Sequence, residues 1–281
     1  MANMRSSLLI TTYNRPDALA LVLDSAARQS RLPDEVIVAD DGSGDATRDM
    51  LREKARGYPV PLRHAWHEDR GFRAARIRNL AIAAASGDYL LILDGDMVPH
   101  RHYVADHLAA ARPGRFIQGM RVLSTAEGAE AMLRERRIDT GFFDPGLERR
   151  RHTLRLPSLS ALIARFSESQ RQGCIKTCNQ GWWRKDLLAL NGFDERYEGW
   201  GREDNDLAAR AYHAGLKRRS LRFAGLAVHL FHPERARDGI SANDRLLAET
   251  LASPQRVRCE LGLDGHLERY REQPLPDLRA A

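Results

Sequence analysis

Two aspartates separated by a single glycine, Asp94-Gly95-Asp96, directly follow an apolar run at residues 89–93. Two carboxylates on so short a loop suit a hard divalent cation such as Mn²⁺ or Mg²⁺, because such ions prefer oxygen ligands. Gly95 lets the backbone approach a neighbouring segment closely. The pattern therefore predicts a cation site, and a cation held there could in turn hold phosphate oxygens.

A second acidic pair, Glu203-Asp204, stands at the opening of a predicted helix over residues 206–214. A hydroxyl group that attacks a carbon atom needs a carboxylate base within hydrogen-bond reach, since its own pKa lies far above neutrality. Ordinary acidity in the first turn of a helix would explain the same pair, because the helix dipole favours anions there. The Gly-Trp-Gly sequence at residues 199–201 favours the catalytic interpretation.

The first half of the chain alternates strand and helix patterns. Short apolar or β-branched runs at residues 8–12, 35–39, 61–66 and 89–93 are separated by segments with helical periodicity. Strands joined by helix-length crossovers are typical of a parallel sheet that is covered by helices on both faces.

Polar side chains follow two further strands of this predicted sheet. Tyr13 and Asn14 come after the first strand, and Asp40 and Asp41 come after the second. Ligands bind such sheets beyond the carboxyl ends of the strands. We therefore expect these side chains to meet the aspartates of residues 94–96 at one edge. A plain turn with an aspartate helix cap is the alternative for the second strand, but a cap explains one of its two aspartates.

The absence of two nucleotide-binding motifs, together with the net charge, excludes several classes of function. The fingerprint GxGxxG is absent after the first strand and no GxxxxGK[ST] loop occurs, which argues against a Rossmann dehydrogenase and a P-loop enzyme. The net charge is +6, with 44 Lys and Arg against 38 Asp and Glu. No nucleic-acid-binding motif accompanies the basic residues, so we expect no nucleic-acid partner. Contact with anionic lipid headgroups suits this charge equally well.

Cysteine usage and hydropathy indicate a cytoplasmic protein. The three cysteines, Cys174, Cys178 and Cys259, are too sparse for a disulfide framework and lack the pairing of a zinc site. No apolar stretch reaches the length of a signal-peptide core or a membrane span. We expect a cytoplasmic location, with peripheral contact at the inner face of the membrane as a further expectation.

Several motifs of this chain closely resemble those of the family 2 GT-A glycosyltransferases in order and spacing. They are Thr11-Thr12-Tyr13-Asn14-Arg15, Val38-Ala39-Asp40-Asp41-Gly42-Ser43, Arg78-Asn79 with Gly87-Asp88-Tyr89, and Leu93-Asp94-Gly95-Asp96. The resemblance covers about residues 6–235. It implies the α/β fold called GT-A, a Rossmann-like mixed sheet, mostly parallel, with helices on both faces.

The resemblance implies a donor site for a UDP-sugar. The residues that it places there are Thr11, Tyr13, Asn14, Arg15, Asp40, Asp41, Arg76 and Asp94. Thr11, Tyr13 and Asp41 would contact the uracil base, with the carboxylate accepting a hydrogen bond from the ring N–H. Asp94 would lie by the donor ribose. Arg76, or Arg73 in its place, would reach the diphosphate, although a solvated helix face explains these arginines as well.

The same resemblance implies a metal site. Asp96, the second acid of the Asp-x-Asp motif, would ligate Mn²⁺ or Mg²⁺. Two histidines follow a strand-like run at residues 223–230, where these families draw their histidine ligand. We expect His232 to be that ligand, with His229 as the alternative, because imidazole, carboxylate and diphosphate oxygens make a reasonable set for Mn²⁺.

The second half resembles the acceptor-side segment of galactosyltransferase-like and chondroitin-polymerase-like enzymes, in which a Trp-Gly-Gly-Glu-Asp run precedes a helix. Arg202 stands here in place of the second glycine. The resemblance implies that Trp182, Trp200 and Glu203 contact the acceptor, although a tryptophan is as often part of a core. Residues 124–170 lack strong periodicity and suit an insertion that clasps the acceptor.

These observations predict a metal-dependent, inverting glycosyltransferase that moves a sugar from a UDP-sugar to a saccharide or lipid-linked saccharide, in bacterial surface polysaccharide or lipopolysaccharide synthesis. Asp204 would be the base. A GT-A domain would span residues 1–235, with a nucleotide-sugar half at 1–123 and an acceptor half at 124–235, before a helical tail at 236–281. The predicted helices of this tail lie at 243–250 and 254–271, and the tail contains no legible site. Two alternatives remain, a nucleotidyltransferase that makes nucleotide-sugars and a non-catalytic sugar- or lipid-binding protein.

Overall fold

A computed structural model describes residues 4–173, 175–233 and 240–280, so that Cys174 lies outside the described residues. Twelve strands occur in these ranges. They are β1 (Ser6–Thr12), β2 (Glu35–Asp40), β3 (Leu62–Trp66), β4 (Tyr89–Asp94), β5 (Met97–Pro99), β6 (Arg115–Gly119), β7 (Arg121–Ser124), β8 (Leu147–Glu148), β9 (Glu168–Ser169), β10 (Asn179–Trp183), β11 (Lys217–Leu221) and β12 (Ala227–His229).

Ten α-helices lie in the same ranges, together with short 3₁₀ helices at Arg150–Thr153 and Leu278–Ala280. The α-helices are α1 (Pro16–Ala27), α2 (Asp45–Ala55), α3 (Ala74–Ala84), α4 (Tyr103–Ala110), α5 (Ala126–Glu135), α6 (Pro157–Phe166), α7 (Arg184–Leu190), α8 (Glu203–His213), α9 (Ile240–Leu251) and α10 (Asp264–Glu272). None of these described helices is long and apolar enough to span a bilayer.

The main sheet has eight strands in the order β3-β2-β1-β4-β10-β6-β11-β9. β10 runs antiparallel to both of its neighbours and β9 runs antiparallel to β11, whereas the other pairs are parallel. This confirms the predicted mixed, mostly parallel sheet. Thr11 of β1 pairs with Ala39 of β2 and with Asp94 of β4, so the carboxyl ends of these three strands lie side by side.

Successive residues of the central strands enter two different cores. Leu8 and Ile10 of β1 belong to one buried cluster with residues of α1, whereas Leu9 belongs to a second cluster with residues of α3. Both faces of the sheet are therefore covered by helices, as predicted. Burial on both faces explains why these strands are continuous apolar runs in the sequence.

A second, four-stranded sheet lies beside the carboxyl edge of the first, in the order β5-β12-β7-β8. β5 follows β4 after a two-residue turn at Gly95 and Asp96. β12 pairs antiparallel with β5, which sets His229 opposite Met97. The register therefore brings a histidine from late in the chain next to Asp96.

Residues 124–170 are more regular than predicted, because they contain α5 and α6. The side chain of Thr125 caps α5 by accepting a hydrogen bond from the Gly128 N–H. α5 buries only Gly128, Ala129 and Met132. So small a buried face leaves little apolar periodicity in the sequence, which is why the pattern indicated an irregular insertion.

The predicted tail is only partly helical and is integrated into the fold. Residues 236–239 lie outside the described residues, and α9 extends the helix predicted at 243–250. The helix predicted from Pro254 instead begins at Asp264. The residues between α9 and α10 are held against the end of α7, where the Asn191 side chain donates to the Cys259 carbonyl oxygen. These contacts replace the hydrogen bonds that a continuous helix would make.

A buried ion pair joins α8 to the tail. Arg210 and Asp206 form it at 2.7 Å, and neither side chain is more than 1% exposed. The hydroxyl of Thr250 donates to the second oxygen of Asp206 at 2.7 Å. The remaining nitrogens of Arg210 donate to the carbonyl oxygens of Leu190 and Gly192. The ion pair thus links α8 to α9 through Asp206 and to the end of α7 through Arg210.

We expect Arg210→Met to lower the free energy of unfolding by about 3–5 kcal/mol, because it leaves the Asp206 carboxylate buried without its cation. Arg48→Met is the matched control, since Arg48 pairs with Asp45 on an exposed face of α2. The control should cost less than about 1 kcal/mol. Urea denaturation measures both values, and a similar small loss in both variants would contradict a structural role for the buried pair.

Candidate functional site

A cavity of about 770 Å³ opens at the carboxyl edge of β1, β2 and β4. Its wall includes Thr11 and Tyr13 from the end of β1, Asp41 from the end of β2, and the Asp94-to-Asp96 turn after β4. Sequence reasoning had predicted that these side chains would meet at this edge. Residues of the second sheet, among them Arg121 of β7 and His229 of β12, line the same cavity.

Asp96, His229 and His232 form a cluster in this cavity. One carboxylate oxygen and one ring nitrogen from each histidine lie within 4.8 Å of one another. Nε2 of His232 lies 3.2 Å from Oδ2 of Asp96, and Nε2 of His229 lies 3.7 Å from the same atom. The structure therefore places both candidate histidines near the Asp96 carboxylate. It does not favour His232 over His229 as the metal ligand.

The donor set of this cluster fits a divalent metal ion. Oδ1 of Asp96 is buried and has no hydrogen-bond partner among the described residues. Nδ1 of His232 lies 2.9 Å from the Pro233 carbonyl oxygen, which can only accept, so Nδ1 carries the proton. Nε2 is then the nitrogen that donates to Asp96 when the ring is protonated and that can ligate a metal once this proton is lost, as in metal-ligating histidines. A carboxylate with two imidazoles suits Mn²⁺ and related ions.

Charge in the cluster favours the ligand form of Asp96. Burial alone would raise the pKa of this carboxyl, but His232 and His229 outweigh burial and bring the pKa below its usual value. The hydrogen bond with Asp96 raises the pKa of His232, whereas burial lowers the pKa of His229. Asp96 is thus an anion and His229 a neutral imidazole near neutral pH, which are the forms that bind a metal.

Gly95 is required for this geometry. Its N–H donates to the Thr11 carbonyl oxygen at 2.7 Å. A Cβ atom at this position would lie 2.9 Å from the same oxygen. The prediction that Gly95 permits a close backbone approach is confirmed, and the approach fixes the turn that carries Asp96.

The side of the cavity formed by β1 and β2 presents an aromatic ring and a buried carboxylate. Asp41 lies 2.7 Å from Nε2 of His67 through Oδ1, and its Oδ2 accepts a hydrogen bond from the Arg73 N–H. The Tyr13 hydroxyl donates to Asp69 at 2.8 Å. Each oxygen of Asp41 retains a lone pair, so a planar N–H donor entering the cavity can still be bound.

Two of the residues that were expected in the donor site hold the loops instead. Oδ1 of Asn14 accepts a hydrogen bond from the Gly44 N–H. Asp40 accepts one from the Ser43 N–H, and its other oxygen lies 2.9 Å from Nε2 of His64. Neither Asn14 nor Asp40 lines the cavity, since both are directed into the junction of the two loops. Their hydrogen bonds hold the loops that carry Asp41 and Tyr13 in place.

Arginine assignments in α3 and before it need correction. Arg76 forms an ion pair with Glu195 at 3.1 Å and does not line the cavity. Arg73 is no substitute, because its guanidinium donates to the Glu68 carbonyl oxygen and it does not line the cavity either. Arg78 lines the cavity instead. Arg15 also lines the cavity, as predicted, and lies 4.0 Å from Asp96.

Arg78 connects the end of β4, at the cavity, with the acidic pair of α8. Its guanidinium lies 2.9 Å from Glu203 and 3.4 Å from Asp94. Burial opposes its charge, but Asp94 and Glu203 outweigh burial and raise the pKa of Arg78. Burial in turn raises the pKa of Asp94 to about 6, against the opposing effect of Arg78.

The two acids of α8 have different environments. Glu203 is buried against Arg78, which holds its carboxylate. Asp204 is partly exposed, accepts a hydrogen bond from the Asn205 N–H at 2.7 Å, and forms no ion pair with any residue of the described ranges. Burial, and then the charge of Glu203, raise the pKa of Asp204 to about 7. Neither acid lines the cavity wall itself, where Arg78 lies between Glu203 and Asp94, and Asp204 is the acid of the pair whose pKa is raised to near neutrality.

The two tryptophans are separated by the structure. Trp200 lines the cavity and is 39% exposed. Trp182 is 1% exposed, stacks on Phe116 at 4.1 Å, and donates from its indole N–H to Gln180. The expected acceptor contact of Trp182 is therefore wrong, because β10 is a central strand and the side chain lies in the core.

Basic residues of the cavity wall escaped sequence reasoning. Arg121 of β7 and Lys176 before β10 line the cavity, and neither forms an ion pair within the part of the chain that the structure describes. Single basic residues in short strands and loops carry no sequence signal. Only the pairing of β7 with β12 shows that Arg121 belongs beside the histidine cluster.

The loop before Glu203 and Asp204 is held by α9. This contact was not predicted from the sequence. The Asn243 side chain donates to the carbonyl oxygens of Glu198 and Gly201. Arg202 has a φ of 79°, in the left-handed region, and its guanidinium lies 2.6 Å from Asp244. A non-glycine residue is strained in this conformation, which fits the second glycine of the Trp-Gly-Gly-Glu-Asp run that this segment resembles. The departure at Arg202 supplies a link to the tail.

Family models and relatives match most of the chain. Residues 7–174 match the model described as Glycosyl transferase family 2, and residues 160–233 match the N-terminal domain of galactosyltransferase. Over 230 residues the chain is 31% identical to validoxylamine A glucosyltransferase of Streptomyces hygroscopicus subsp. limoneus, covering 75% of this chain and 48% of the relative. Over 237 residues it is 26% identical to chondroitin synthase of Escherichia coli, covering 79% and 34%. The chain thus spans half or less of these relatives.

A solved structure supports the fold. Glucosyl-3-phosphoglycerate synthase from Mycobacterium tuberculosis, solved with Mn²⁺, UDP and glucosyl-3-phosphoglycerate, matches with a TM-score of 0.53 and 19% identity, covering 90% of this chain and 80% of that one. The predicted GT-A fold is confirmed. The resemblances drawn from both halves of the sequence are likewise confirmed.

We expect Arg202→Gly to be more stable than Arg202→Ala by about 1 kcal/mol, because only glycine relieves the left-handed backbone. Both variants lose the contact with Asp244, so the comparison isolates the backbone term. Urea denaturation of the two proteins gives the difference. Equal free energies of unfolding would show that the backbone at residue 202 is not strained.

Proposed function

The chain belongs to glycosyl transferase family 2 and is a glycosyltransferase, and on that premise we propose that it moves a sugar from a UDP-sugar to an acceptor hydroxyl with the help of a divalent cation. The observation that carries the proposal is the Asp96, His229 and His232 cluster, which lies in the same cavity as Tyr13 and Asp41. Family membership leaves the nucleotidyltransferase and the non-catalytic alternatives without support.

The donor would lie along the carboxyl edge of the sheet. Asp41 would accept the uracil N3–H, because its carboxylate is buried and aimed into the cavity, and Tyr13 would contact the ring. Asp94 would lie by the ribose. Arg15 supports the diphosphate beside Asp96, from which it is 4.0 Å away. The Mn²⁺ and UDP bound by the related synthase support this assignment by analogy of fold.

The metal would be held by Asp96 and the two histidines. Mn²⁺ or Mg²⁺ bound there would neutralise charge on the leaving diphosphate. Gly95 positions Asp96 through its hydrogen bond to Thr11, and the Pro233 carbonyl oxygen fixes the tautomer of His232.

Asp204 would act as the base. Its carboxylate is bound by a backbone N–H, whereas Glu203 is occupied by Arg78. As the acceptor oxygen attacks the anomeric carbon, the proton of the acceptor hydroxyl passes to Asp204 and the bond to UDP breaks. Attack on the face opposite UDP inverts the anomeric centre, and no covalent glycosyl-enzyme is needed.

The acceptor would bind beside Trp200, whose partly exposed ring can cover a sugar face. Glu203 would contact the acceptor or hold Arg78 in place. A saccharide or lipid-linked saccharide of a bacterial surface polysaccharide or lipopolysaccharide suits this site, and the match to a chondroitin synthase supports a saccharide.

Turnover of labelled UDP-sugars to free UDP should require Mn²⁺ or Mg²⁺ and should stop in excess EDTA, because the cluster offers no cation of its own for the diphosphate. A panel of UDP-, ADP- and GDP-sugars tests the donor in the same assay. Turnover of the UDP-sugars alone is expected, since Asp41 matches the uracil N–H. Full activity in EDTA would overturn the metal site, and equal turnover of the ADP-sugars would overturn the role of Asp41.

Ligand variants sharpen the same test. Asp96→Ala should abolish Mn²⁺-dependent UDP binding, because the carboxylate is the anionic ligand of the cluster. His232→Ala and His229→Ala should raise the Mn²⁺ midpoint while activity survives at saturating Mn²⁺, since water can replace a neutral ligand. Arg76→Ala is the matched control outside the cavity. An unchanged midpoint in one histidine variant would remove that histidine from the ligand set.

Asp204→Asn should lower turnover by about 10²–10⁴-fold with UDP binding intact, which is the usual contribution of a positioned base. In the wild type, kcat/KM should fall as the pH drops through about 7, because protonation of Asp204 removes the base form. The variant should lack this limb of the pH profile. Near-wild-type turnover of Asp204→Asn, with Glu203→Gln inactive, would reverse the roles of the two acids.

A further inference from the structure

An apolar and basic surface spans residues 149–166, outside the cavity, and is called here the α6 surface. Its exposed apolar side chains are Leu154, Leu156, Leu159, Leu162 and Phe166. Leu162 is 53% exposed and Phe166 is 83% exposed. Soluble proteins rarely leave so many neighbouring apolar side chains in water without a binding partner.

The apolar side chains of α6 share one face. Leu159, Leu162 and Phe166 are spaced at i, i+3 and i+7, which aligns them along one side of a helix. The opposite side of α6 buries Ser160 and Ala164 against the protein. α6 is therefore amphipathic, and its larger apolar face is turned outward.

The charge of the α6 surface has a single sign. Residues 149–166 contain five arginines and no acidic residue. Arg155 is held by Asp106 at 2.6 Å. Arg149, Arg150, Arg151 and Arg165 are exposed, and none of them lies within 4 Å of a carboxylate in the described ranges.

We infer that the α6 surface docks on an anionic lipid bilayer. Leucine and phenylalanine on one helix face, with arginines beside them, are the chemistry of a helix that lies in the membrane interface. The unpaired arginines would meet the anionic headgroups. A second copy of the chain is a poor occupant, because a two-fold contact through this face would set the two arginine clusters against each other.

The location of the α6 surface relates it to the cavity. Glu148 lines the cavity and is followed directly by Arg149. The N–H of Leu156 donates to the Phe223 carbonyl oxygen, just beyond β11, so α6 begins at the edge of the sheet where the cavity opens. Docking would hold the cavity next to the headgroups. On the proposed function, which this step requires, the acceptor would then be a lipid-linked saccharide rather than a free one.

Co-sedimentation of the full chain with vesicles tests the docking independently of turnover. Binding is expected to vesicles that contain phosphatidylglycerol, weakening with added salt, and not to vesicles of phosphatidylcholine alone. Replacing Arg149, Arg150 and Arg151 with Ala should weaken binding by about five-fold for each arginine. Replacing Leu159, Leu162 and Phe166 with Ser should weaken it by at least about ten-fold.

Matched controls carry the same substitutions elsewhere on the surface. Arg28, Arg134 and Arg271 changed to Ala, and Leu32, Leu251 and Leu261 changed to Ser, should bind vesicles like the wild type, since all six side chains are exposed outside the α6 surface. UDP binding should be unchanged in every variant. If the wild type does not bind UDP, the result would count against the proposed function and not against docking.

Absence of binding to the anionic vesicles, or equal binding by the α6 variants and their controls, would overturn the inference. So would a wild-type dimer in light scattering that the Leu159, Leu162 and Phe166 substitutions dissociate, with no vesicle binding, because the face would then be an interface between copies.

Discussion

The buried guanidinium of Arg78 is the interaction on which the site depends. It joins Asp94, at the end of β4, to Glu203, at the start of α8. Without this cation, carboxylates from two distant parts of the chain would face one another at partly buried positions, where like charges repel more strongly than in water. Arg78 thus lets the donor edge and the acidic pair approach each other. It also leaves Asp204 as the acid without a bound cation in the described ranges.

The fold and the donor edge could be predicted because they follow from local patterns. Apolar strands in parallel fix where their carboxyl ends lie, so Asp41 and Asp96 could be placed from their positions after a strand. That Arg78 faces the cavity, and not the predicted Arg76 or Arg73, could not be foreseen, because it depends on which side of α3 meets the sheet. The burial of Trp182 could not be predicted either, because it follows from the insertion of β10 between β4 and β6. Patterns within one element do not show which strand becomes its neighbour.

The acceptor side was less predictable because long-range contacts shape it. Arg202 takes a strained conformation whose neighbours, Asn243 and Asp244, lie about forty residues further along the chain. The tail was predicted to be without a legible site, since its helical pattern contains no catalytic motif. Its contribution consists of single side chains that hold backbone oxygens, and such contacts have no signature in the sequence.

The hold of α9 on the acidic loop sets an order for synthesis on the ribosome. β1, β2 and β4 are complete once residue 94 has emerged, whereas Asn243 follows Gly201 by a further stretch that the nascent chain must still acquire. A domain generally folds as a unit during synthesis, once its interacting segments have been made. The loop before Glu203 and Asp204 can therefore be secured only after α9, which carries Asn243, has been made.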